Sequence, residues 1–566
     1  MNYLLIGLAA LTVVIVCTAV SRRTGIATPL LLLVLGIVAS YLPAVPDVAI
    51  EPEFILAGVL PLLLYSSAVR LPVTDFRRNF GMITWLSVLL VVLSALGVGL
   101  AIHLIFPAIP LSLAVAFGAV VSPTDAVAAT SIGKRLGLPG RLMSILEGES
   151  LVNDASALVT LRTALAALAG SFSFWQALGE FGRAVLVAVV VGALVGFLTS
   201  LVRGRVDDPV LNTVISFFVP FVAYLPAEEL RGSGVLAVVV AGLIAGHHAT
   251  RRLSAEARAF DASNWATISF VLESSLFLIL GLELTGLVAR AQAEGGLGQV
   301  VAIAAITLVL LVVLRALGVG VAVLFRNRSG FLRRTEQRIE ATEQWLSGAA
   351  PETERQRSRT ESIRRSVDRH RADVAFERSE PIGRKGALVL TWAGMRGVVT
   401  LAAAQTIPVG TQLRDTLILA AFGVAVATLL GFGSSLPALI RRLDFPDVSA
   451  QDSREEFGAL LRSLGDSAVE QLGPLDDQIV DGRPLDPAVA DRMRSMVDAF
   501  RERRVVANNS EGAADQMAEI YRRYIAALRE ALVEERSIGA YRSETYAKAQ
   551  RMLDALETRG GMSGLT

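Results

Sequence analysis

Long apolar segments follow one another from residue 3 to residue 440 of this 566-residue chain, and they constrain its fold more than any other feature. Backbone polar groups inside a bilayer must be satisfied within their own segment, so each segment is expected to form a helix. A window of about 19 residues therefore predicts an all-α polytopic membrane protein with thirteen transmembrane spans. The predicted spans are 3–20, 27–43, 53–69, 81–105, 110–131, 142–168, 183–202, 209–226, 232–248, 259–288, 297–325, 385–407 and 415–440.

Composition narrows the class of protein further. Hydrophobic residues make up 53% of the chain and the formal net charge is +1. A charge so close to zero gives no general attraction to nucleic acid, so no nucleic-acid partner is expected. Cys17 is the single cysteine, which excludes an internal disulfide. The first apolar segment is followed by Ser21-Arg22-Arg23 and not by a small-residue cleavage site, which predicts a retained span.

Basic residues are distributed unevenly between the two sides of the predicted spans. If the N-terminus lies outside, the short inner loops hold most of the lysines and arginines, which is the positive-inside pattern. The predicted topology is N-terminus outside and C-terminus cytoplasmic, in the cell membrane. The inner loops hold Arg22, Arg23, Arg70, Arg77, Arg78, Lys134, Arg135, Arg141, Arg203, Arg205, Arg251, Arg252 and Arg258, whereas the outer ones hold Arg183, Arg231, Arg290 and Arg414.

Two of the predicted spans contain residues that interrupt a helix. Span 5 contains Pro123, which lacks a backbone donor and clashes with the preceding turn. Span 12 contains Gly394-Met395-Arg396-Gly397, in which two glycines flank a charge. The two spans are seven apart, so spans 1 to 6 and 8 to 13 are predicted to form two inverted six-helix repeats. Broken helices that cross near the midplane form the ion sites of many secondary transporters.

Charged residues at membrane depth are costly to bury and are therefore functional candidates. Asp125 follows the Pro123 break, and Glu149 and Asp154 lie in span 6. Ser150 and Asp154 are four residues apart and share one helix face, as do Glu149 and Asn153. The first face is predicted to offer oxygen ligands to a cation.

Arg315 stands alone among the apolar residues 300–325 and needs a buried partner. Glu149 is the favoured partner and Glu273 is the alternative. Two interpretations of a Glu149–Arg315 pair stay open: the pair is purely structural, or it takes part in transport. A fixed arginine partner favours the structural interpretation, because it holds the carboxylate ionised.

Four motifs carry a resemblance to a known family. The stretches VVSPTDAVAAT at 120–130, EGESLVNDA at 147–155, LRALGV at 314–319 and GMRGVVTLAAA at 394–404 resemble the monovalent cation:proton antiporter-1 family. These are sodium/proton exchangers that include the bacterial NhaP type, and the resemblance covers roughly residues 1–443. It implies a homodimer of thirteen-helix protomers, each with a dimerisation part and a mobile core, that uses no cofactor and is not an enzyme.

The resemblance also implies roles for individual residues. Asp154 is the carboxylate that alternately binds the cation and the proton, supported by Asn153 and Ser150. Thr124 and Asp125 contribute where the unwound helices cross, so that Asp154, Asp125 and Ser150 are the implied ligands of the transported cation. Glu149 pairs with Arg315, and Arg396 compensates the helix ends in span 12.

Two departures from the family pattern leave cation selectivity open. Where many relatives carry a glutamate after Leu-Pro in the third span, this chain has Ser66, and where many have asparagine in span 10, it has Glu273. Both residues are candidates for the cation pathway, and a place in a hydrated cavity is the other interpretation of Glu273. Na⁺ is the first expected substrate, with Li⁺ and K⁺ as alternatives.

The predicted mechanism is competition at one site. A partly desolvated carboxylate binds either a proton or a dehydrated monovalent cation. Asn153, where an aspartate would add a second titratable charge, favours electroneutral exchange of one proton per cation. A cation channel gated by the cytoplasmic tail is the alternative, but a channel usually assembles its ring of ligands from several subunits. A membrane-anchored signalling protein is a third class, although the tail contains no recognisable catalytic motif.

Two soluble segments complete the chain. Residues 326–384 form a charged cytoplasmic loop within the antiporter domain (1–443), expected as solvated helices or a disordered tether. Residues 444–566, called the tail below, carry apolar residues at helical spacing, such as Ile520, Tyr524 and Leu528. A small helical domain is expected there, with this stripe as its own core or, less favoured, as a partner site.

Overall fold

The computed structural model of the protein describes residues 2–24, 26–43, 51–168, 170, 174–294, 296–328, 331–348, 353–445, 450–480, 483–502 and 514–562. Helices dominate these ranges. The exception within them is a pair of short antiparallel strands in the tail, β1 (Ile479–Val480) and β2 (Arg483–Pro484).

The helices of the membrane part follow the apolar segments closely. In chain order they are α1 (Asn2–Thr24), α2 (Thr28–Ser40), α3 (Phe54–Arg70), α4 (Val73–Ile105), α5 (Leu111–Val121), α6 (Val127–Arg135), α7 (Gly140–Leu168), α8 (Phe174–Arg203), α9 (Pro209–Glu229), α10 (Gly234–Arg252), α11 (Ala255–Leu282), α12 (Leu284–Glu294) and α13 (Leu297–Arg328). After the charged loop come α16 (Arg384–Trp392), α17 (Val398–Gln405) and α18 (Arg414–Leu443).

Within the described ranges, eight helices are long and apolar enough to cross a membrane, and α2, α3 and α5 are shorter apolar helices. The expected class of an all-helical, multi-span membrane protein is confirmed, while the count of thirteen crossings stays a prediction. α4 begins at Val73, eight residues before the predicted start, because a hydropathy window excludes its polar first turns around Asp75 and Arg77.

Both expected interruptions are present as gaps between helices. α5 ends at Val121 and α6 begins at Val127, so the gap contains Pro123. α16 ends at Trp392 and α17 begins at Val398, so the second gap contains Gly394 and Gly397. Each gap leaves backbone groups without helical partners, and these groups need other partners when they are buried.

Small residues bring the membrane helices into close contact. A Cβ added to Gly281 would lie 2.7 Å from the backbone nitrogen of Ile37, so α11 and α2 touch through their backbones at this point. α10 packs in the same way on α3, where a Cβ added to Gly242 would lie 3.2 Å from the backbone oxygen of Tyr65. Backbone contact of this kind stabilises helix pairs in a bilayer, where burial of apolar surface between helices contributes little.

The charged loop forms two helices, α14 (Phe331–Gly348) and α15 (Glu354–Ser379). Of the two structures expected for this loop, solvated helices and a disordered tether, the described residues adopt the helices. They are joined by the ion pairs Arg371–Glu343 and Arg378–Glu336. α15 begins with a capping box at Thr353 and Gln356.

The tail contains α19 (Ala450–Leu472), α20 (Pro487–Glu502), α21 (Ala514–Ile538) and α22 (Ser543–Met562). Ile520, Tyr524 and Leu528 from the predicted apolar stripe are buried in a separate hydrophobic core that also holds Leu460 and Met493. The stripe therefore packs within the tail itself.

Candidate functional site

The two interrupted helices meet through their backbones. The amide of Asp125 donates a hydrogen bond to the carbonyl of Met395 at 2.7 Å. Gly397 lies against the Asp125 side chain, and a Cβ added there would lie 2.7 Å from the Asp125 Cγ. The Asp125 Oδ1 atom accepts a hydrogen bond from the Val127 amide at 2.8 Å, which satisfies one of the orphan donors at the start of α6.

Arg396 supplies positive charge to carbonyls at the ends of both broken helices. Its Nε donates to the carbonyl of Val121, the last residue of α5, at 3.0 Å, and its Nη1 donates to the carbonyl of Gly394. Its own amide donates to the Thr428 hydroxyl at 3.0 Å. A cation is favoured at helix C-termini because the unsatisfied carbonyls carry partial negative charge.

Glu149 and Arg315 form a buried two-point ion pair. The Arg315 Nη1 lies 2.6 Å from the Glu149 Oε1, and Nη2 lies 3.1 Å from Oε2. The side chains are 2% and 5% exposed, and Arg315 Nε also donates to the Leu390 carbonyl at 2.9 Å. Glu149, and not Glu273, is therefore the residue that contacts Arg315.

Thr124 links this ion pair to Asn153. The Thr124 hydroxyl donates to Glu149 Oε1 at 2.8 Å, while Asn153 Nδ2 donates to the Thr124 carbonyl at 2.8 Å and to its hydroxyl at 3.0 Å. The Asn153 Oδ1 has no hydrogen-bond partner in the described part of the chain. Asn153 thus holds the broken helix in place and makes no hydrogen bond to its neighbour Asp154.

Asp154 lies in a cavity of about 400 Å³ that runs along the broken helices. Its side chain is buried, with the residue 8% exposed, and no hydrogen-bond or ion-pair partner of its carboxylate occurs among the described residues. Asp125, Thr124, Ser150 and Glu273 line the same cavity. The Ser150 hydroxyl is also 3.4 Å from the amide of Ala126, the residue after Asp125.

Three further charged residues line this cavity. Lys134 and Glu147, which both line it, form an ion pair of 2.8 Å with side chains 67% and 30% exposed. Arg70 also lines the cavity. Arg70 and Lys134 lie in the last turns of α3 and α6, and Glu147 lies two turns inside α7.

Ser66 lies outside the cavity lining, whereas its neighbour Ser67 is part of it. The Ser66 hydroxyl is 2.6 Å from the Ser269 hydroxyl and accepts a hydrogen bond from Arg70 Nη2 at 3.1 Å. The sequence predicts neither contact, because Arg70 lies in a predicted loop and a serine in an apolar helix carries no signal of its partner.

The described residues contain no group of three or more His, Cys, Asp or Glu placed to hold a metal ion. The side-chain oxygen atoms that the cavity offers come from Asp125, Asp154 and Glu273, from neutral hydroxyl groups, and from Glu147, which is paired with Lys134. Hard oxygen ligands that are not gathered into one cluster suit a weakly bound, exchangeable cation better than a tightly held one.

Comparisons with known proteins agree with this geometry. The family model described as "Sodium/hydrogen exchanger, transmembrane" matches residues 9–442. The chain is similar to the uncharacterized Na⁺/H⁺ exchanger YjcE of Escherichia coli, at 28% identity over 96% of this chain and 97% of that protein. It is 30% identical to the sodium, potassium, lithium and rubidium/H⁺ antiporter of Bacillus pumilus, over 74% of this chain and 58% of that protein.

A solved structure shares the fold. The sodium proton antiporter MjNhaP1 from Methanocaldococcus jannaschii aligns with a TM-score of 0.57 and 19% identity, over 78% of this chain and 99% of that one. The resemblance seen in the four sequence motifs is therefore confirmed by a family match across the whole membrane part. This chain is a membrane-spanning member of the sodium/hydrogen exchanger family.

Proposed function

We propose that this protein exchanges a monovalent cation for a proton across the cell membrane, with Asp154 as the carboxylate that binds each in turn. The observation that carries the proposal is the isolation of Asp154, a buried carboxylate that has no partner among the described residues and lines a cavity. A carboxylate in that setting needs either a proton or a cation to compensate its charge.

The two acids nearest the crossing, Glu149 and Asp125, already accept hydrogen bonds, which supports Asp154 as the single exchanging group. Glu149 is held by hydrogen bonds from Arg315 and Thr124. Asp125 has one oxygen occupied by the Val127 amide. We propose that the remaining Asp125 oxygen and the Ser150 hydroxyl join Asp154 as ligands of the dehydrated cation, with Thr124 close by.

Exchange follows from competition at Asp154. A cation and a proton cannot both neutralise one carboxylate, so each displaces the other, and the empty ionised site is costly to carry across an apolar barrier. A movement of the core that contains the helix crossing then exposes the loaded site to each side of the membrane in turn. Because Asn153 is neutral and donates to Thr124, one charge cycles per turnover and the exchange is electroneutral, at one proton per cation.

Na⁺ is the proposed main substrate, with Li⁺ and K⁺ as further substrates. The name of the similar Bacillus pumilus protein includes all three cations, and the sodium/hydrogen exchanger family model matches this chain. We place Glu273 and Arg70 on the wall of the pathway, where Glu273 tunes selectivity, and Ser66 behind the wall, where it accepts a hydrogen bond from Arg70.

The wider architecture is part of the same proposal. We divide the chain into an antiporter domain, residues 1–443, and a helical cytoplasmic tail, residues 444–566. The antiporter domain has thirteen spans in two inverted repeats, the N-terminus lies outside, and two protomers form a dimer. Arg70 and Lys134, two basic residues of the predicted inner loops, line the Asp154 cavity, which supports a state open to the cytoplasm.

Purified protein in proteoliposomes tests this proposal. Acid-loaded vesicles that carry a pH-sensitive dye should lose their internal acidity when Na⁺, Li⁺ or K⁺ is added outside, and should keep it when choline is added. A channel would instead carry a cation current without obligatory proton movement. Cation flux that leaves the internal pH unchanged at zero membrane potential would contradict antiport.

A further inference from the structure

A second cavity, of about 300 Å³, lies where the tail meets the membrane helices. The first turns of α4 and the last turns of α10 form one wall, and α15 and the end of α21 form the other. This cavity is separate from the proposed ion-exchange site, because none of its lining residues lines the cavity that contains Asp154.

The lining of this second cavity is strongly basic. Four arginines and two histidines contribute to it, and no aspartate or glutamate is among its described lining residues. The basic residues are Arg77, Arg251, Arg369, Arg536, His247 and His248. Like charges that converge in a partly enclosed space repel one another more strongly than they would in water, so this arrangement favours an anion.

Nearby carboxylates compensate only part of this charge. Arg77 contacts Asp373 at 3.2 Å, outside the cavity lining. In the described part of the chain, no carboxylate lies within ion-pair distance of Arg251, Arg369 or Arg536. The Nε of Arg369 is buried and has no hydrogen-bond partner among the described residues.

Arg536 carries a charge that is costly to hold in this position. Burial lowers the pKa of its guanidinium, and the Asp75 carboxylate opposes that effect. Its Nη1 donates to the Thr250 hydroxyl, a neutral acceptor, at 3.2 Å. A bound anion would offset part of the cost of keeping the guanidinium charged.

The donor set indicates the chemistry of the anion. Guanidinium groups present fixed forks of N–H donors that match the oxygens of phosphate, and those in this cavity come from four separate helices. Thr250 and Ser537 add hydroxyl groups. A halide has no directed acceptor oxygens to use such a set, and a volume of about 300 Å³ exceeds that of a single small ion.

We propose that this cavity binds a phosphate-bearing anion that joins the tail to the membrane part. The phosphate oxygens would contact Arg369 and Arg536 on the soluble side and Arg251 on α10. The source of the phosphate is either a soluble phosphate compound or the headgroup of an anionic lipid, since the cavity lies at the ends of membrane helices.

Both membrane helices at this cavity pack on elements that line the ion pathway. α4 lies against α7, the helix that carries Asp154, where a Cβ added to Gly148 would lie 3.1 Å from the Ile83 Cγ1. α10 lies against α3, whose residues Ser67 and Arg70 line the ion cavity. An anion that fixes the tail to α4 and α10 would thereby restrain helices next to the transport site, although the binding proposal itself is independent of antiport.

Binding is tested on the full-length protein in nanodiscs of phosphatidylcholine. Titration calorimetry with inorganic pyrophosphate, at ionic strength held constant with chloride, measures the soluble source. Thermal unfolding in nanodiscs with and without phosphatidic acid measures the lipid source. Arg369→Gln and Arg536→Gln are the test variants, and Arg551→Gln, an exposed tail residue outside the cavity lining, is the control.

We expect saturable binding of pyrophosphate, or a rise in the unfolding midpoint with phosphatidic acid, in the parent and in Arg551→Gln. Loss of one charge-assisted contact in Arg369→Gln should weaken the affinity for pyrophosphate by about tenfold or more. The rise in unfolding midpoint with phosphatidic acid should be smaller in this variant than in the parent. The Arg369 Nε makes no hydrogen bond among the described residues, so Arg369→Gln breaks no hydrogen bond of that atom and should still fold. It therefore tests the proposal even if Arg536→Gln loosens the tail. No response to either phosphate source, or equal responses in Arg369→Gln and the parent, would overturn the proposal.

Discussion

The backbone amide of Asp125 donates to the backbone carbonyl of Met395 at 2.7 Å, so the two interrupted helices are joined by main chain at their crossing. Side chains would hold the helices further apart. The crossing places Asp125 beside Gly397 and in the same cavity as Asp154. The site therefore depends on close backbone approach as much as on its carboxylates.

Gly397→Ala should disable exchange without preventing helix formation. The glycine has φ −113°, which alanine adopts freely, so the effect is steric: the new Cβ would collide with the Asp125 side chain. Overpacking of this kind costs roughly 1–3 kcal/mol. Proteoliposome exchange rates and thermal unfolding check the prediction.

Gly431→Ala is the matched control, because no heavy atom lies within 4 Å of a Cβ added there. It should keep the parent's exchange rate and stability. Parent-like exchange by Gly397→Ala would show that the crossing tolerates separation and does not set the site geometry.

The Glu149–Arg315 pair should behave as a structural unit. Removal of either partner leaves an uncompensated buried charge at a cost of about 3–5 kcal/mol, so Glu149→Gln and Arg315→Gln should both unfold at lower temperature. A double replacement with apolar residues, Glu149→Leu with Arg315→Met, should recover part of that loss. Thermal unfolding in detergent measures all three variants.

Arg371→Gln provides the comparison for this pair. It removes one partner of an exposed ion pair with Glu343, which contributes at most about 1 kcal/mol. If Glu149→Gln is as stable as Arg371→Gln and changes the preference among Na⁺, Li⁺ and K⁺, then Glu149 belongs to the transport site and the structural assignment is wrong.

Asn153→Asp should destabilise the protein. The asparagine amide donates to the carbonyl and to the hydroxyl of Thr124, and an ionised aspartate would face the Thr124 carbonyl without a donor. The unsatisfied acceptor costs roughly 1–3 kcal/mol, and more for a charged group. The same substitution at Asn264, whose amide makes an exposed hydrogen bond to the Phe260 carbonyl, should be nearly neutral in unfolding experiments. Equal unfolding midpoints for the two variants would argue against a positioning role for Asn153.

Exchange should be independent of membrane potential, because Asp154 alone cycles its charge. Membrane potentials of either sign, set by gradients of the permeant anion thiocyanate in the absence of K⁺, should give equal initial rates of Na⁺-driven proton movement. Glu273 lines the same cavity and has no hydrogen-bond or ion-pair partner among the described residues, unlike Asp125 and Glu147, so a second proton could use it. A voltage dependence that disappears in Glu273→Gln would make Glu273 a transport residue and the exchange electrogenic.

Residue chemistry was enough to predict the local features of the site. Pro123 and the Gly394–Gly397 pair mark the two helix gaps, because each residue weakens a helix by itself. Arg315 could be matched with Glu149 because a lone buried arginine needs a carboxylate, and few are available at that depth. Hydropathy alone located the apolar helices of the membrane part, whereas the start of α4 was missed and the count of thirteen spans stays a prediction.

Contacts between distant segments could not be predicted in this way. Arg141 was counted as a loop charge, yet the folded chain buries it at 2% exposure against Asn79 and Glu377 of α15. The hydrogen bonds of Asn153 to Thr124, rather than to the Asp154 region, depend on how α7 is rotated against the gap before α6. Such contacts are set by tertiary packing, for which a single sequence carries no local signal.

The exchange activity of Asp154→Asn tests the central claim most directly. The substitution keeps the shape of the side chain and removes its charge, so the protein should fold and unfold like the parent. Reconstituted Asp154→Asn should show no dissipation of a pH gradient upon addition of Na⁺, Li⁺ or K⁺, at any pH where the parent is active. Cation-driven proton movement by a folded Asp154→Asn protein would contradict the assignment of Asp154 as the exchanging carboxylate.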